Sequence, residues 1–121
     1  MSEIVFHLDH VQLAMPAGEE ATAREFYIDA LGLEEVPKPP ELAMRGGAWF
    51  RKGSADIHLG VDPEFVAATK AHPAFRCSGY DTLLERLSAR GVAVTPDGLF
   101  GGKRHCYIAD PFGNRIELIE L

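Results

Sequence analysis

The sequence predicts an α+β fold in which one structural unit is used twice. Three observations carry that expectation. Two amphipathic helical stripes are each closed by a glycine, Gly32 and Gly91. Each stripe is preceded by one predicted strand and followed by three. Polar residues able to bind a cation recur at matched places: 48 positions separate His10 from His58, and 45 separate His72 from Glu117. A repeated order of elements at a fixed spacing marks an internal duplication.

The elements follow in order. Apolar residues from Val5 to Met15 predict the first strand, ended by Pro16-Ala17-Gly18. Ala23, Phe26, Tyr27, Ala30 and Leu31 form one stripe, so Glu19 to Leu31 is predicted helical. Leu33 to Val36 reads as a short strand and Pro37-Lys38-Pro39-Pro40 as a loop. Ala48 to Lys52 and Asp56 to Val61 read as strands joined at Gly53-Ser54. Asp62-Pro63-Glu64 is a helix-start signal, which predicts a short helix to about Ala71, stopped before Pro73. Ala74 to Ser78 is the first strand of the second unit. Tyr80, Leu83, Leu84 and Leu87 predict a helix over Asp81 to Arg90. Val92 and Val94 suggest a short strand, and Pro96-Asp97-Gly98 a turn. His105 to Ala109 and Arg115 to Leu121 are the last two strands, joined by the turn Asp110-Pro111-Phe112-Gly113-Asn114. The two units span about 4–62 and 68–121 within a single predicted domain, 1–121.

Composition narrows the function classes. The chain has 121 residues, 46% of them hydrophobic and 25% charged, as in ordinary globular proteins. A net charge of −6 argues against a nucleic-acid surface, which needs clustered Lys and Arg. No leader-like or membrane-spanning apolar run is present. Cys77 and Cys106 lack CxxC spacing and read as two reduced thiols, consistent with a cytoplasmic protein.

The last strand poses the chemical question. Glu117 lies among Ile116, Leu118 and Ile119, and a carboxylate in such a strand wants a counter-charge, a hydrogen bond or a metal. Arg115 and Arg76 could supply an ion pair. Taken singly, each histidine reads more simply as a hydrogen-bonded side chain. Joint placement favours a metal: if the units are related by a pseudo-twofold axis, His10, His58, His72 and Glu117 converge. Three imidazoles and a carboxylate suit one divalent ion such as Zn, Ni, Fe, Mn or Co. His7 and His105 fall outside the pattern: His7 reads as a surface residue, alternatively one behind the ligands, and His105, beside Lys103 and Arg104, as part of a solvated loop, alternatively at the edge of a substrate site. Phe100-Gly101-Gly102-Lys103 is too short for a phosphate loop and reads as a flexible loop or lid.

The motifs Leu8-Asp9-His10-Val11-Gln12-Leu13-Ala14, Arg24-Glu25-Phe26-Tyr27 with Leu31-Gly32-Leu33, His72-Pro73-Ala74-Phe75 and Asp110-Pro111-Phe112-Gly113-Asn114-Arg115-Ile116-Glu117 resemble the vicinal oxygen chelate superfamily. That superfamily includes glyoxalase I, extradiol dioxygenases and bleomycin-resistance proteins. The resemblance implies two βαβββ modules forming an open, curled mixed sheet. It places the family's His-His-Glu ligands on His10, His72 and Glu117. Glyoxalase I-like members usually carry Glu at the fourth position, where this chain has His58.

The implied activity is that of a lyase, isomerase or transferase of the glyoxalase type. A metal would chelate two neighbouring substrate oxygens and stabilise an oxyanion or enediolate. Glu117 is the candidate base, loosening from the metal during turnover. Strand alternation puts Gln12 on the face of His10 and Arg76 on that of His72, as candidate contacts to a small polar or anionic substrate. Arg76 reads equally as a structural ion pair. Trp49 and Tyr107 could wall the pocket or simply pack the core. The alternatives are a small Fe(II) dioxygenase and a metal-free protein that binds or sequesters a small molecule. A homodimer is expected, with the site shared between chains if modules are exchanged.

Overall fold

The computed structural model describes residues 2–121. Two four-stranded sheets are present. The first contains β1 (Val11–Met15), β2 (Glu34–Val36), β3 (Ala48–Lys52) and β4 (Ala55–Val61), in the spatial order β1-β4-β3-β2. The second contains β5 (Ala74–Cys77), β6 (Thr95–Phe100), β7 (Lys103–Ala109) and β8 (Arg115–Glu120), in the matching order β5-β8-β7-β6. In each sheet the first strand pairs parallel with the last, and the remaining pairs are antiparallel. The parallel pair requires a crossover, supplied by α1 (Glu20–Arg24) and by α3 (Tyr80–Ala89) respectively. The predicted α+β fold with two βαβββ modules is therefore observed.

Alternation assigns the faces. Ile57 and Leu59 on β4, Ala48 and Phe50 on β3, and Ile116 and Leu118 on β8 are buried in one core with Met15, Leu87, Cys106 and Ile108. His58, Trp49 and Gln12 occupy one row on the other face of the first sheet, in mutual register. Glu117, Tyr107 and Ala74 occupy the equivalent row of the second.

The first helix differs from the expected single α-helix. Beyond Arg24 it widens into a π-helix over Glu25–Ala30, with the Leu31 N–H reaching back to the Phe26 carbonyl at 2.9 Å. The wider turn lets two successive large residues enter the core, Phe26 at 5% and Tyr27 at 0% exposure. Tyr27 donates a 2.7 Å hydrogen bond to Asp110 in the turn before β8. Asn114, bonded to the same carboxylate, donates to the Ala14 carbonyl on β1 at 2.8 Å. These bonds tie the first module to the second.

Several expectations are corrected. The first strand starts at Val11, not Val5; residues 2–10 have neither helical nor strand pairing. No helix follows Asp62. Its carboxylate accepts from the Glu64 N–H at 2.9 Å in a local turn, and Val66 is exposed, so no apolar stripe exists to dock a helix. Pro40–Ala43 forms a short helix, α2, where a loop is expected; Pro39 and Pro40 supply its extended entry and first helical position. Val92 and Val94 are not in a strand. Pro96-Asp97-Gly98 lies inside edge strand β6, whose register shifts between Pro96 and Leu99. A bulge on an edge accommodates the proline and glycine. The expected lid loop is a tight hairpin: Phe100 pairs with Lys103 across Gly101 and Gly102, at φ +56° and +80°.

Candidate metal centre

Glu117 is the middle of the site. It lies in β8 at 7% exposure, opposite Tyr107 of β7 and Ala74 of β5. Its backbone N–H donates to the Pro73 carbonyl at 3.0 Å, which extends the β5–β8 pairing and sets His72 alongside. His72 Nε2 lies 3.1 Å from Glu117 Oε1. His72 Nδ1 lies 2.8 Å from the Lys70 carbonyl oxygen. A carbonyl only accepts, so Nδ1 carries a proton and the ring's other nitrogen is aimed at the carboxylate. A carbonyl-held Nδ1–H is the arrangement that orients a metal-binding imidazole.

The chemistry of this pair fits a divalent ion. A nitrogen lone pair facing a carboxylate oxygen needs a cation between them, either a proton or a metal. Two donors at about 2.0–2.2 Å from one tetrahedral ion sit roughly 3.3–3.6 Å apart, so the 3.1 Å pair would open by a few tenths of an ångström to hold one. His72 and Glu117 could therefore supply two donors to such an ion, which would need at least one more.

His105 engages the other carboxylate oxygen. Its Nδ1 lies 2.8 Å from Glu117 Oε2, and its Nε2 lies 2.7 Å from the Asp97 carbonyl oxygen. With an acceptor at each nitrogen, the ring is suited to carry both protons, as an imidazolium. The bond to Glu117 pushes His105 up from its ordinary value. Burial works to raise the Glu117 carboxyl, but hydrogen bonds from His105 and then His72 outweigh it and hold the group below the usual range. His105 lies in β7, as the predicted strand has it, but is buried there rather than solvated, which corrects that part of the expectation.

His10 and His58 lie on the first sheet. The His10 and His58 rings stack with centroids 3.9 Å apart and planes 17° apart; His58 and Trp49 stack at 3.9 Å and 4°. Asp9 holds His10 Nδ1 at 2.8 Å. Burial, then the neighbouring His10, lowers the His58 imidazole below its ordinary value. An imidazole binds a metal in its own ring plane, so two parallel rings present parallel lone pairs that do not meet. Convergence of His10, His58, His72 and Glu117 within one chain is therefore not found. Among the described residues, no three His, Cys, Asp or Glu side chains gather to hold a metal ion.

The remaining candidates are distributed around these groups. Gln12 is exposed on β1, and its side-chain amide lies over Gly60 of β4. Gln12 and His72 line one cleft of about 410 Å³ between β1 and the loop leading into β5. Tyr107 stands edge-on to His72, ring centroids 5.4 Å apart, and Arg115 lies 3.9 Å over its ring. Tyr107 therefore stands beside His72, on the row that carries Glu117. Arg76 is exposed on β5 and makes no ion pair among the described residues. Neither Arg115 nor Arg76 pairs with Glu117 among the described residues; His105 takes that place instead, and Arg115 lies over Tyr107. The signal for both is alternation: His105 shares the strand face of Tyr107, and Arg115 that of Glu117.

Residues 7–118 match the family model described as the Glyoxalase/Bleomycin resistance protein/Dioxygenase superfamily. No curated protein matches the chain. A solved protein from Bacillus anthracis, described as of the glyoxalase family, is 44% identical with a TM-score of 0.93, covering 99% of this chain and 98% of that one. Lactoylglutathione lyase from Agrobacterium tumefaciens is 25% identical with a TM-score of 0.64, covering 91% of each chain. An antibiotic binding protein, TnmS3 from Streptomyces sp. CB03234, shares the fold at 23% identity and a TM-score of 0.71, covering 98% of each chain.

Proposed function

Because the chain belongs to the Glyoxalase/Bleomycin resistance protein/Dioxygenase superfamily, we propose that it is a metal-dependent enzyme of the glyoxalase type, acting on a small molecule with two neighbouring oxygens. The observation that carries the reading is the buried Glu117 carboxylate, with His72 on one oxygen and His105 on the other. His72 and Glu117 would hold one divalent ion, Zn, Ni, Fe, Mn or Co, with His10 as the third donor. One chain does not bring His10 to that pair, so the reading requires a homodimer in which one copy gives His10 and the other gives His72 and Glu117. In this arrangement His58, stacked on Trp49, would line the pocket rather than bind the ion.

The bound ion would supply Lewis-acid chemistry, stabilising negative charge as it develops on the substrate. The protein supplies the rest. Glu117, loosening its Oε1 from the ion, would take a proton onto that oxygen from the substrate carbon beside the two neighbouring oxygens, as general base. His105 holds Glu117 Oε2, so Oε1 is the oxygen presented beside His72. Gln12 and Tyr107 border the substrate space, and Trp49 presents an apolar wall continuous with His58. Arg76 and Arg115 offer positive charge at its margins. Two free thiols, Cys77 and Cys106, accord with a cytoplasmic location.

A second reading rests on the His10–His58–Trp49 stack, an aromatic platform suited to a flat ligand without any metal. Elemental mass spectrometry of untagged protein separates the two. The enzyme reading expects near-stoichiometric metal in wild type, lost in His72→Ala and Glu117→Ala and kept in His58→Ala. Iron as the bound element would direct the reading to dioxygenase chemistry. No metal, with none rebinding from a panel of divalent ions, would replace the enzyme reading with the binding one.

A further inference from the structure

Beyond the Glu117 row lies a second cleft, of about 470 Å³, which the metal reading leaves unused. It exists because a strand fails to form. β6 begins at Thr95, opposite Tyr107, whereas β7 continues to Ala109, opposite Arg115 of β8. Val92 and Ala93 do not pair, so β7 has no strand neighbour on its outer side at Ile108 and Ala109, and the cleft opens between that edge and these two residues. Tyr107 and Arg115 line it from the Glu117 side of the sheet and Ile108 from the core side, so it passes around the end of β7. Val92, Ala93 and Pro111 make much of its wall apolar.

One charge in this cleft has no counterpart. Arg115 is half-buried, lies 3.9 Å over the Tyr107 ring, and makes no ion pair or side-chain hydrogen bond among the described residues. The other charged group of the lining, Asp110, has both oxygens engaged. Its Oδ1 accepts from the N–H groups of Phe112 and Asn114, and its Oδ2 from Tyr27 and the Asn114 side chain. Glu117 is likewise held, by His72 and His105. A half-buried cation gives up hydration that no group of the chain returns to it here. Arg76 is also unpaired, but it is exposed and forms no part of this lining.

We propose that Arg115 receives a carboxylate of the substrate and that the cleft takes the apolar part joined to it, so that the molecule acted on at Glu117 is a small organic acid. The guanidinium offers a planar fork that matches a carboxylate, and a bond between two charged partners is stronger than one between neutral groups. One cation in an otherwise apolar lining matches a monoanion better than a doubly charged phosphate. The reach is also right. Arg115 is two residues from Glu117, about 7 Å along the strand, and leans back over Tyr107, the cross-strand partner of Glu117. One small molecule can therefore touch both. The proposal rests on the glyoxalase-type reading only for what happens at Glu117; the carboxylate site itself needs no metal.

Nuclear magnetic resonance titration of the metal-free full chain tests it, with butyrate, butyramide and butyl phosphate as probes. Butyrate should shift the Arg115 side-chain N–H signal and the Val92, Ala93 and Thr95 amides saturably, and bind at least tenfold more tightly than neutral butyramide. Arg115→Gln should weaken butyrate at least tenfold and leave butyramide within about twofold of wild type. Arg115→Lys should recover only part of the loss, because the ammonium keeps the charge without the fork. Ala93 is exposed, so Ala93→Phe should keep the fold while filling the cleft, and should weaken both four-carbon probes. Butyrate that binds no better than butyramide, or equally well to Arg115→Gln, overturns the proposal. Ala93→Phe without effect overturns the cleft as the place of binding. Butyl phosphate bound tenfold more tightly than butyrate overturns the carboxylate in favour of a phosphate. Bound metal measured on the same proteins separates this site from the metal reading. Butyrate binding by a chain that takes up no divalent ion leaves the Arg115 site standing and ends the metal reading; stoichiometric metal without butyrate binding does the reverse.

Discussion

His105 Nδ1 meets Glu117 Oε2 at 2.8 Å while its Nε2 meets the Asp97 carbonyl at 2.7 Å, so a single ring links the bulge of β6 to the carboxylate in the middle of β8. The pair makes metal-free stability depend on pH in a defined sense. His105 is raised above its ordinary value of 6.5, so its contribution is fully present below 6.5 and lost as pH rises through the folded transition. Glu117 is depressed below 4.5, so its contribution is present above 4.5 and lost as pH falls through its folded transition. Both contributions are therefore whole only between about 4.5 and 6.5. Urea unfolding of metal-free protein across pH should show wild type gaining most over His105→Ala inside that window. A difference independent of pH would reject the charged pair.

The Tyr27–Asp110 bond makes a prediction about how the modules are held together. Tyr27 is fully buried; burial and then the adjacent Asp110 charge push its phenol far above the ordinary range. Asp110 also accepts from the backbone N–H groups of Phe112 and Asn114 at 2.9 and 2.8 Å. Tyr27→Phe removes one bond to a charged acceptor and leaves the ring, and should cost about 1.5–3 kcal/mol in chemical denaturation. Asp110→Ala leaves several donors unpaired at once and should cost more. Equal, negligible losses in both variants would show that the turn is held by other contacts.

Much of this architecture could be read from the sequence, and the failures share a cause. β3 was expected at Ala48–Lys52, where it is found, because its apolar residues end at a clear turn. The second helix was expected within one residue of Tyr80–Ala89, because its stripe is regular and Gly91 follows. The segment before β1 was misread because alternation reports a tendency to extend, whereas a strand also needs a neighbouring strand. β6 was misread because Pro96-Asp97-Gly98 is turn chemistry wherever an edge does not tolerate it. His105 was missed because Lys103 and Arg104 make its local sequence look solvated. Its burial comes from Glu117, twelve residues away, which local composition does not report. The repeat identified pairs of equivalent residues, but the handedness of stacking between His10 and His58 is a tertiary property.

The stack gives a spectroscopic prediction. His58 is lowered by burial between His10 and Trp49, so its imidazole should titrate below 6.5 in metal-free protein. Trp49→Ala opens one face to water and should move that transition upward, toward the ordinary value. Proton-detected titration of the His58 ring in both proteins checks this. A transition unmoved by Trp49→Ala would mean that the tryptophan does not exclude solvent from the ring.

Two glycines near the site predict opposite outcomes for the same substitution. A Cβ on Gly47 would lie 2.0 Å from the Leu59 backbone oxygen, and the residue has φ +80°. Neither obstacle can move without disturbing the β3–β4 pairing that aligns Trp49 with His58, so Gly47→Ala should lower stability by at least about 2 kcal/mol. A Cβ on Gly60 would meet the Gln12 amide nitrogen at 2.2 Å, the far end of a flexible and exposed side chain. That side chain can swing away, so Gly60→Ala should leave the urea midpoint nearly unchanged. What changes is the position of Gln12 beside the cleft it shares with His72. With a turned-over small molecule in hand, Gly60→Ala should alter KM more than kcat, as Gln12→Ala should, and the two together should not add. A KM unaffected by either would remove Gln12 from the substrate contacts and leave Gly60 as a consequence of strand packing alone.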